Sequence, residues 1–293
     1  MKAITSTLTL AALLLLSCSL KSQSTSGKES TELKTNKNMK ATVTEKNEYV
    51  HFHGMPYKGK ILMVVSSPAL SEQTGWPIGF WAAELTHALY VFQEAGYEVE
   101  LASTEGGEIK MDGYSDPTHE SGYSANDIIT LGYMQQDWFI NALKNTKKFT
   151  DADPSKYDAV FLVGGQGPMY TFYKNGDLEK FFVKFYDSGK PSAVVCHATS
   201  LLLTAKDSDG ELLVKGKTWT GFANSEEDFA DKAVGQKIQP FRIEDEARKL
   251  KDTNFKVAQA FSAYAIADGN LITGQQQNSG AEAAQMVVDM LEK

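Results

Sequence analysis

The chain has 293 residues, of which 42% are hydrophobic and 23% are charged, and its 37 acidic and 29 basic side chains give a net charge of −8. This apolar content excludes an intrinsically disordered protein. The acidic balance disfavours a nucleic-acid-binding protein, because phosphate contacts need clustered Lys and Arg. The two cysteines, Cys18 and Cys196, are too few for a disulfide-stabilised scaffold.

The amino-terminal segment has the pattern of a secretory signal. Residues 1–17 carry one Lys before an apolar run, and Leu15-Leu16-Ser17-Cys18 resembles the bacterial lipobox, in which the Cys after the cleavage site is lipidated. The alternative is an ordinary signal peptide with an incidental Cys. Residues 18–49 are polar and lack periodicity, which predicts a lipidated Cys18 followed by a flexible tether. The expected location is the cell envelope, as a membrane-anchored lipoprotein, with residues 50–293 as one folded domain.

Strand and helix patterns alternate through residues 50–293. Continuous apolar runs predict buried strands at 61–67, 97–103, 159–165 and 193–196, with further strand candidates at 256–260 and 265–274. Helical spacing predicts helices at 78–95, 126–146, 178–189, 201–206 and 281–293. Strands separated by helices indicate an α/β protein with a mostly parallel sheet layered between helices.

The second cysteine lies where a strand turns sharply into a helix. Cys196 follows the apolar run Ala193-Val194-Val195 and precedes His197-Ala198-Thr199. This is the pattern of a nucleophile elbow, which presents the side chain at the carboxyl edge of the sheet. A helix amino terminus beneath the sulfur favours the thiolate. The alternative is a buried structural cysteine.

Several separate motifs together resemble the ThiJ/PfpI superfamily, and within it the chaperone and glyoxalase III-type (D-lactate dehydratase-like) subgroup. They are Gly79-Phe80-Trp81-Ala82-Ala83-Glu84-Leu85, Ala95-Gly96-Tyr97-Glu98-Val99, Gly164-Gly165-Gln166-Gly167-Pro168-Met169, the segment around Cys196-His197, Thr220-Gly221-Phe222-Ala223-Asn224-Ser225-Glu226-Glu227 and Asp268-Gly269-Asn270-Leu271-Ile272-Thr273-Gly274-Gln275. The resemblance implies a flavodoxin-like three-layer sandwich, similar to the class I glutamine amidotransferases.

The resemblance also implies roles at matching positions. Cys196 would be the nucleophile, His197 the base and Glu227 the acid that orients it. Glu84 would share a proton with the sulfur, which raises one pKa of the pair.

The same resemblance extends to the substrate side of the site. Gly165 would form an oxyanion site, next to Gln166 and Ala198. The family usually has His at position 166 and Gly-Pro at positions 198 and 199, where this chain has Ala198-Thr199.

These features predict a glutathione-independent glyoxalase, in which a Cys hemithioacetal converts methylglyoxal or a related small aldehyde to a 2-hydroxy acid. The alternatives are an envelope stress chaperone of the same family and a Cys-dependent amidase or peptidase. No phosphate loop, dinucleotide fingerprint or HExxH motif occurs, so no cofactor is expected. A metal site from Glu84, His87 and His119 is a weaker alternative to hydrogen-bonded histidines. The expected partners are the aldehyde, a membrane through the lipid anchor only, no nucleic acid and, from the superfamily, a second copy of the chain.

Overall fold

A seven-stranded sheet forms the centre of the computed structural model, which describes residues 56–293. The strands are β1 (Lys60–Val65), β2 (Ala69–Leu70), β3 (Pro77–Ile78), β4 (Glu98–Ser103), β5 (Lys147–Lys148), β6 (Ala159–Leu162), β7 (Ser192–Val195), β8 (Thr218–Trp219), β9 (Asn254–Phe255), β10 (Ala265–Asp268) and β11 (Leu271–Gly274). The sheet order is β10-β11-β7-β6-β1-β4-β5, and only the β10–β11 pair is antiparallel. The predicted mostly parallel α/β sheet is confirmed.

Helices flank the sheet, which gives the three-layer, flavodoxin-like arrangement. They are α1 (Ala82–Glu94), α2 (Ile128–Met134), α3 (Asp137–Lys144), α4 (Pro168–Thr171), α5 (Gly176–Asp187), α6 (Asn224–Val234), α7 (Ile243–Ala247) and α8 (Gly280–Leu291). The α1 and α8 helices pack on each other, and α5 packs on β6 and β7. Strands β1, β6 and β7 are almost wholly buried, as their continuous apolar runs predict.

Four predicted elements differ from the structure, and one of them, the helix at 201–206, is a 3₁₀ helix that begins at Cys196. The helical pattern at 126–146 is two helices, because the chain is extended at Gln136, between α2 and α3, where Phe139 turns into the core. The predicted strand at 265–274 is the β10–β11 hairpin.

The predicted strand at 256–260 is wrong. Backbone bonding to β8 ends at Lys256, whose N–H donates to the Trp219 carbonyl oxygen. Beyond it, the Ala258 N–H donates to the Gln275 side chain and the Phe261 N–H donates to the Glu226 side chain.

The carboxyl ends of β1, β6 and β7 meet at one edge of the sheet, and the segments that follow them carry the chemistry-bearing residues. Gly164 and Gly165 follow β6, and Cys196 follows β7 directly. Ligands of parallel α/β sheets bind at this edge.

Candidate active site

Cys196 sits on a strained turn. Its φ is 57°, a left-handed conformation that a residue with a side chain adopts at a cost. A 3₁₀ helix, Cys196–Leu203, begins at this residue, earlier than the predicted helix at 201–206. The Thr199 hydroxyl donates to the Cys196 carbonyl oxygen at 2.6 Å and holds the turn. The structure therefore contains the strand–turn–helix geometry of a nucleophile elbow.

Glu84 brings a buried carboxyl group to the sulfur. It lies in the first turn of α1, is fully buried, and its Oε2 accepts the backbone N–H of Gly164 at 2.9 Å. Burial is the main reason that the pKa of Glu84 rises from 4.5 to about 8, although hydrogen bonds to Cys196 and Gly164 oppose the rise. Oε1 accepts no N–H or O–H from the described residues. Glu84 therefore holds a proton at neutral pH.

Cys196 and Glu84 form one titrating pair. Burial raises the pKa of the thiol well above its ordinary value, and the charge of an ionised Glu84 raises it further. The backbone amides of Gly165 and His197 hydrogen-bond to the sulfur and act in the opposite direction. When Glu84 carries the proton its charge is absent, so a neutral carboxyl can donate to the sulfur while the two amides stabilise the thiolate.

His197 links the sulfur to a second carboxylate. Its Nδ1 lies 3.4 Å from the Cys196 sulfur, and its Nε2 lies 2.9 Å from Oε1 of Glu227, near the start of α6. Phe222 stacks on the imidazole ring at 4.0 Å between centroids. Donation from Nε2–H to Glu227 leaves the Nδ1 lone pair facing the sulfur. The three side chains are arranged as a nucleophile, a base and an orienting acid.

The loop after β6 supplies a backbone donor that points at the sulfur. Gly165 has a φ of 110°, and a Cβ there would lie 2.6 Å from the Phe80 carbonyl carbon, so only glycine fits. The N–H groups of the neighbouring residues are occupied within the protein: Gly164 donates to Glu84, and Gln166 donates to Asp112. The amide of Gly165 is thereby left for the sulfur and for a substrate oxygen.

Two buried carboxylates next to the site were not predicted from the sequence. Asp112 is fully buried and accepts the N–H of Gly79 at 2.8 Å and of Gln166 at 2.6 Å. Burial raises its pKa, against the effect of those two hydrogen bonds. Asp112 therefore fixes the segment that carries Gly165. Its sequence context, a polar residue between Met111 and Gly113, gave no signal of this role.

Glu226 is the second of these carboxylates. It accepts hydrogen bonds from Ala223 N–H, Phe261 N–H and the Gln275 side chain, and burial raises its pKa. Of the two adjacent acidic residues, Glu227 hydrogen-bonds to His197. Glu226 instead links the start of α6 to the segment that contains Phe261, because it accepts the Phe261 N–H.

A narrow cleft opens above the sulfur, with a volume of about 110 Å³. The cleft is lined by the predicted site residues Cys196, His197, Glu227, Gly165 and Gln166. The structure does not bring Ala198 to this cleft, because the elbow turns its fully buried side chain into the hydrophobic core. Four of the residues assigned from the sequence therefore lie on the cleft side of Cys196, namely Gly165, Gln166, His197 and Glu227. Glu84 approaches the sulfur from the buried side.

The other two histidines of the described residues, His87 and His119, do not join the site. His87 Nε2 lies 2.9 Å from Asp127, and His119 Nδ1 lies 3.0 Å from the Ser121 hydroxyl. Within residues 56–293, no group of three or more His, Cys, Asp or Glu side chains is arranged to hold a metal ion. The alternative of a metal site at Glu84, His87 and His119 has no support in this geometry.

The fold and the elbow define an α/β protein with a buried cysteine on a strand–turn–helix, and comparison with known proteins gives its family. Residues 78–290 match the model of the DJ-1/PfpI family, and the chain belongs to that family. Glyoxalase 3 of Candida albicans is 29% identical over 220 residues, which cover 74% of this chain and 92% of the relative.

Two further proteins that this chain resembles are also named as glyoxalases. A probable glutathione-independent glyoxalase of Schizosaccharomyces pombe is 29% identical over 262 residues, which cover 81% of this chain and all of the relative. The crystal structure of glyoxalase III from Candida albicans superimposes with a TM-score of 0.66 at 28% identity, covering 79% of this chain and 96% of that one.

The predicted location in the cell envelope as a membrane-anchored lipoprotein is contradicted by these comparisons. The similar proteins are yeast glyoxalases, one of which aligns over its whole length with about four-fifths of this chain, so nothing in them supports a lipid anchor. The segments 1–17 and 18–49, with Cys18, lie outside the described residues. Within the described residues, no helix has both the length and the apolar character needed to cross a bilayer.

Proposed function

We propose that the chain is a glutathione-independent glyoxalase that converts methylglyoxal or a related small aldehyde to a 2-hydroxy acid. The observation that supports this most strongly is the convergence of two groups on Cys196: His197–Glu227 from the cleft, and the Glu84 carboxyl from the buried side. The names of the similar proteins agree with this reaction and favour it over the chaperone and amidase alternatives.

The first step is addition of the thiol to the aldehyde. The Nδ1 lone pair of His197 accepts the proton of the Cys196 thiol, and the sulfur attacks the aldehyde carbon to give a hemithioacetal. Glu227 stabilises the imidazolium that forms. Negative charge that develops on the substrate oxygen is stabilised by the amides of Gly165 and His197, which already face the sulfur.

The second step is an internal oxidation and reduction. A base removes the proton from the former aldehyde carbon, an enediol forms, and a proton is delivered to the neighbouring carbon, which leaves a 2-hydroxy thioester on Cys196. His197 is placed to remove this proton after it has given the thiol proton to the alkoxide oxygen of the adduct, which completes the hemithioacetal. Glu84, with a pKa of about 8, is placed to hold a proton beside the sulfur. Water then hydrolyses the thioester and frees the thiol.

The cleft also explains why glutathione would not be needed. The tripeptide carries two carboxylates, which proteins bind with Lys or Arg. None of the described residues that line the cleft is a Lys or an Arg. The protein supplies its own thiol at the position where a glutathione-dependent enzyme would have to bind the cofactor's thiol. For the oligomeric state, we propose the homodimer that the superfamily suggests.

The test is lactate production from methylglyoxal without any added thiol. Wild-type protein should form lactate, and Cys196→Ala should form none above the uncatalysed rate. Tyr90→Ala, which changes an exposed side chain on α1, is the folded control and should retain wild-type activity. Absence of lactate with the wild type, or undiminished lactate with Cys196→Ala, would disprove the proposal.

A further inference from the structure

The walls of the cleft are dominated by aromatic rings. The six ring residues on its sides, called here the aromatic wall, are Trp76, Trp81, Tyr114, Tyr123, Phe229 and Phe261. Four of them form a continuous series, since Trp81 meets Tyr123 edge-on at 6.0 Å between centroids, and Tyr114 lies 6.4 Å from both Tyr123 and Trp76. The other two meet edge-on at 5.1 Å. A seventh ring, Phe222, lies at the floor against His197.

The rest of the lining adds to this apolar character. Ala230, Ala233 and Val234 of α6, with Ile238 beyond it, face the cleft. The uncharged polar groups include three glutamine side chains, the hydroxyls of Tyr114 and Tyr123 and the indole N–H groups of Trp76 and Trp81, and the described lining contains no Lys or Arg. A carboxylate or phosphate on the substrate would lose its hydration here without gaining an ion pair. The part of the substrate that extends from the sulfur into the cleft must therefore be uncharged and apolar.

The size of the cleft argues against the smallest aldehydes as its best ligands. Its volume of about 110 Å³ is several times the roughly 10–15 Å³ that admits one water molecule. Methylglyoxal would place one methyl group between these rings and leave most of the wall in contact with water. A planar ring would instead make the offset and edge-on contacts that aromatic side chains favour.

We propose that the aromatic wall selects 2-oxoaldehydes that carry an aryl group on the ketone carbon, with methylglyoxal as the poorer substrate. This inference rests on the proposed glyoxalase function and specifies its substrate class. The wall acts on substrate choice, whereas Cys196, His197 and Glu84 act on the chemistry.

The reaction balances without an added oxidant or reductant. The Cys196 sulfur bonds to the aldehyde carbon of phenylglyoxal, that carbon loses its hydrogen as a proton and is oxidised by two electrons, and the ketone carbon gains a proton and is reduced by two electrons. The mandeloyl thioester is then cleaved by water, which gives mandelate and the free thiol. The ring takes part in no bond change, so its contribution is binding energy alone.

The experiment measures kcat/KM for phenylglyoxal and for methylglyoxal by the appearance of mandelate and lactate, with Cys196→Ala as the background for both. For the wild type we expect phenylglyoxal to be favoured by at least about tenfold, within the discrimination that apolar pockets achieve. Phe229→Ala removes part of the wall, and Ala230→Phe fills the space beside it. For each variant, kcat/KM for phenylglyoxal divided by kcat/KM for methylglyoxal should be lower than in the wild type by about fivefold or more.

The control is Tyr90→Ala, which removes a ring outside the cleft. It is matched to Phe229→Ala because the two rings are similarly exposed, Tyr90 at 48% and Phe229 at 53%. The ratio of kcat/KM for phenylglyoxal to kcat/KM for methylglyoxal in Tyr90→Ala should equal that of the wild type. If methylglyoxal is turned over but phenylglyoxal is no better, or if both cleft variants keep the wild-type ratio, the substrate inference is overturned and the glyoxalase function stands. If neither aldehyde gives a Cys196-dependent acid, the proposed function fails and this inference fails with it.

Discussion

Replacing Glu84 by Gln should change how the stability of the chain depends on pH. The Glu84 side chain is fully buried, and its pKa in the folded chain is about 8, against an ordinary value of 4.5. Below pH 4.5 the carboxyl is protonated in both the folded and the unfolded chain, so it contributes nothing to the pH dependence. Above that value the unfolded chain releases the proton and the folded chain keeps it until the pH approaches 8, so rising pH favours unfolding.

The magnitude follows from the width of this window. Each pH unit over which the folded chain holds one extra proton lowers the free energy of unfolding by about 1.4 kcal/mol. The loss from pH 4.5 to about 8 is therefore about 5 kcal/mol, and between about pH 5.5 and pH 7.5 it is about 3 kcal/mol. Gln does not titrate, and its amide oxygen can still accept the N–H of Gly164. The raised pKa values of Asp112 and Glu226 affect both proteins and cancel in the difference.

The assay is equilibrium urea denaturation of wild type and Glu84→Gln at several pH values between about 5.5 and 7.5. The free energy of unfolding of Glu84→Gln minus that of the wild type should increase by about 3 kcal/mol across this range. Glu94→Gln, at the exposed end of the same helix, is the control and should show a constant difference. A constant difference for Glu84→Gln as well would refute the assignment of a buried, protonated carboxyl beside the sulfur.

Three further substitutions test separate parts of the site. Gly164→Ala would place a Cβ 2.7 Å from the Cys196 Cβ, so we expect a loss of about 2–3 kcal/mol in urea denaturation. Asp112→Asn keeps one acceptor but turns an amide donor toward a backbone N–H, so lactate assays should show kcat reduced about tenfold with little change in KM. Glu227→Gln leaves the His197 imidazolium without its carboxylate, so kcat/KM should fall at least about a hundredfold.

Each of these expectations has a result that would contradict it. Wild-type stability of Gly164→Ala would mean that the loop after β6 is not held against the elbow. An Asp112→Asn variant that raises KM and spares kcat would assign Asp112 to substrate binding instead of to the position of the Gly165 amide. For Glu227, the matched control is Asp228→Asn, whose exposed carboxyl lies on the same helix and pairs with Arg242. Equal losses in the two variants would remove Glu227 from the proposed triad.

The central strands and the elbow could be predicted because their signals are local. The runs that became β1, β6 and β7 are continuous and apolar, and a small-residue turn followed by a helix signals the elbow at Cys196. The pairing of His197 with Glu227 came from a resemblance, since the two residues are 30 positions apart and adjacent acidic residues offer the same local signal.

The parts that could not be predicted depend on long-range contacts. Asp112 and Glu226 look like ordinary acidic residues in the sequence, and their roles come from backbone amides that the fold brings to them from Gln166 and Phe261. The segment at 256–260 has apolar content typical of a strand, but beyond Lys256 the amides of Ala258 and the nearby Phe261 donate to the side chains of Gln275 and Glu226. Ala198 lies within the buried 3₁₀ helix Cys196–Leu203, and sequence alone did not show that its methyl group faces the core.

The most direct test of the proposed chemistry is to identify the covalent intermediate. The hemithioacetal and the lactoyl thioester are isomers, so each would add the mass of one methylglyoxal molecule to the protein, but only the thioester survives acid quenching and is cleaved by hydroxylamine. Peptide mass spectrometry of a quenched reaction should find this hydroxylamine-sensitive adduct on Cys196, and Glu227→Gln should alter the amount that accumulates. Lactate formation without an adduct at Cys196, or with the adduct on another residue, would contradict a Cys196-centred glyoxalase.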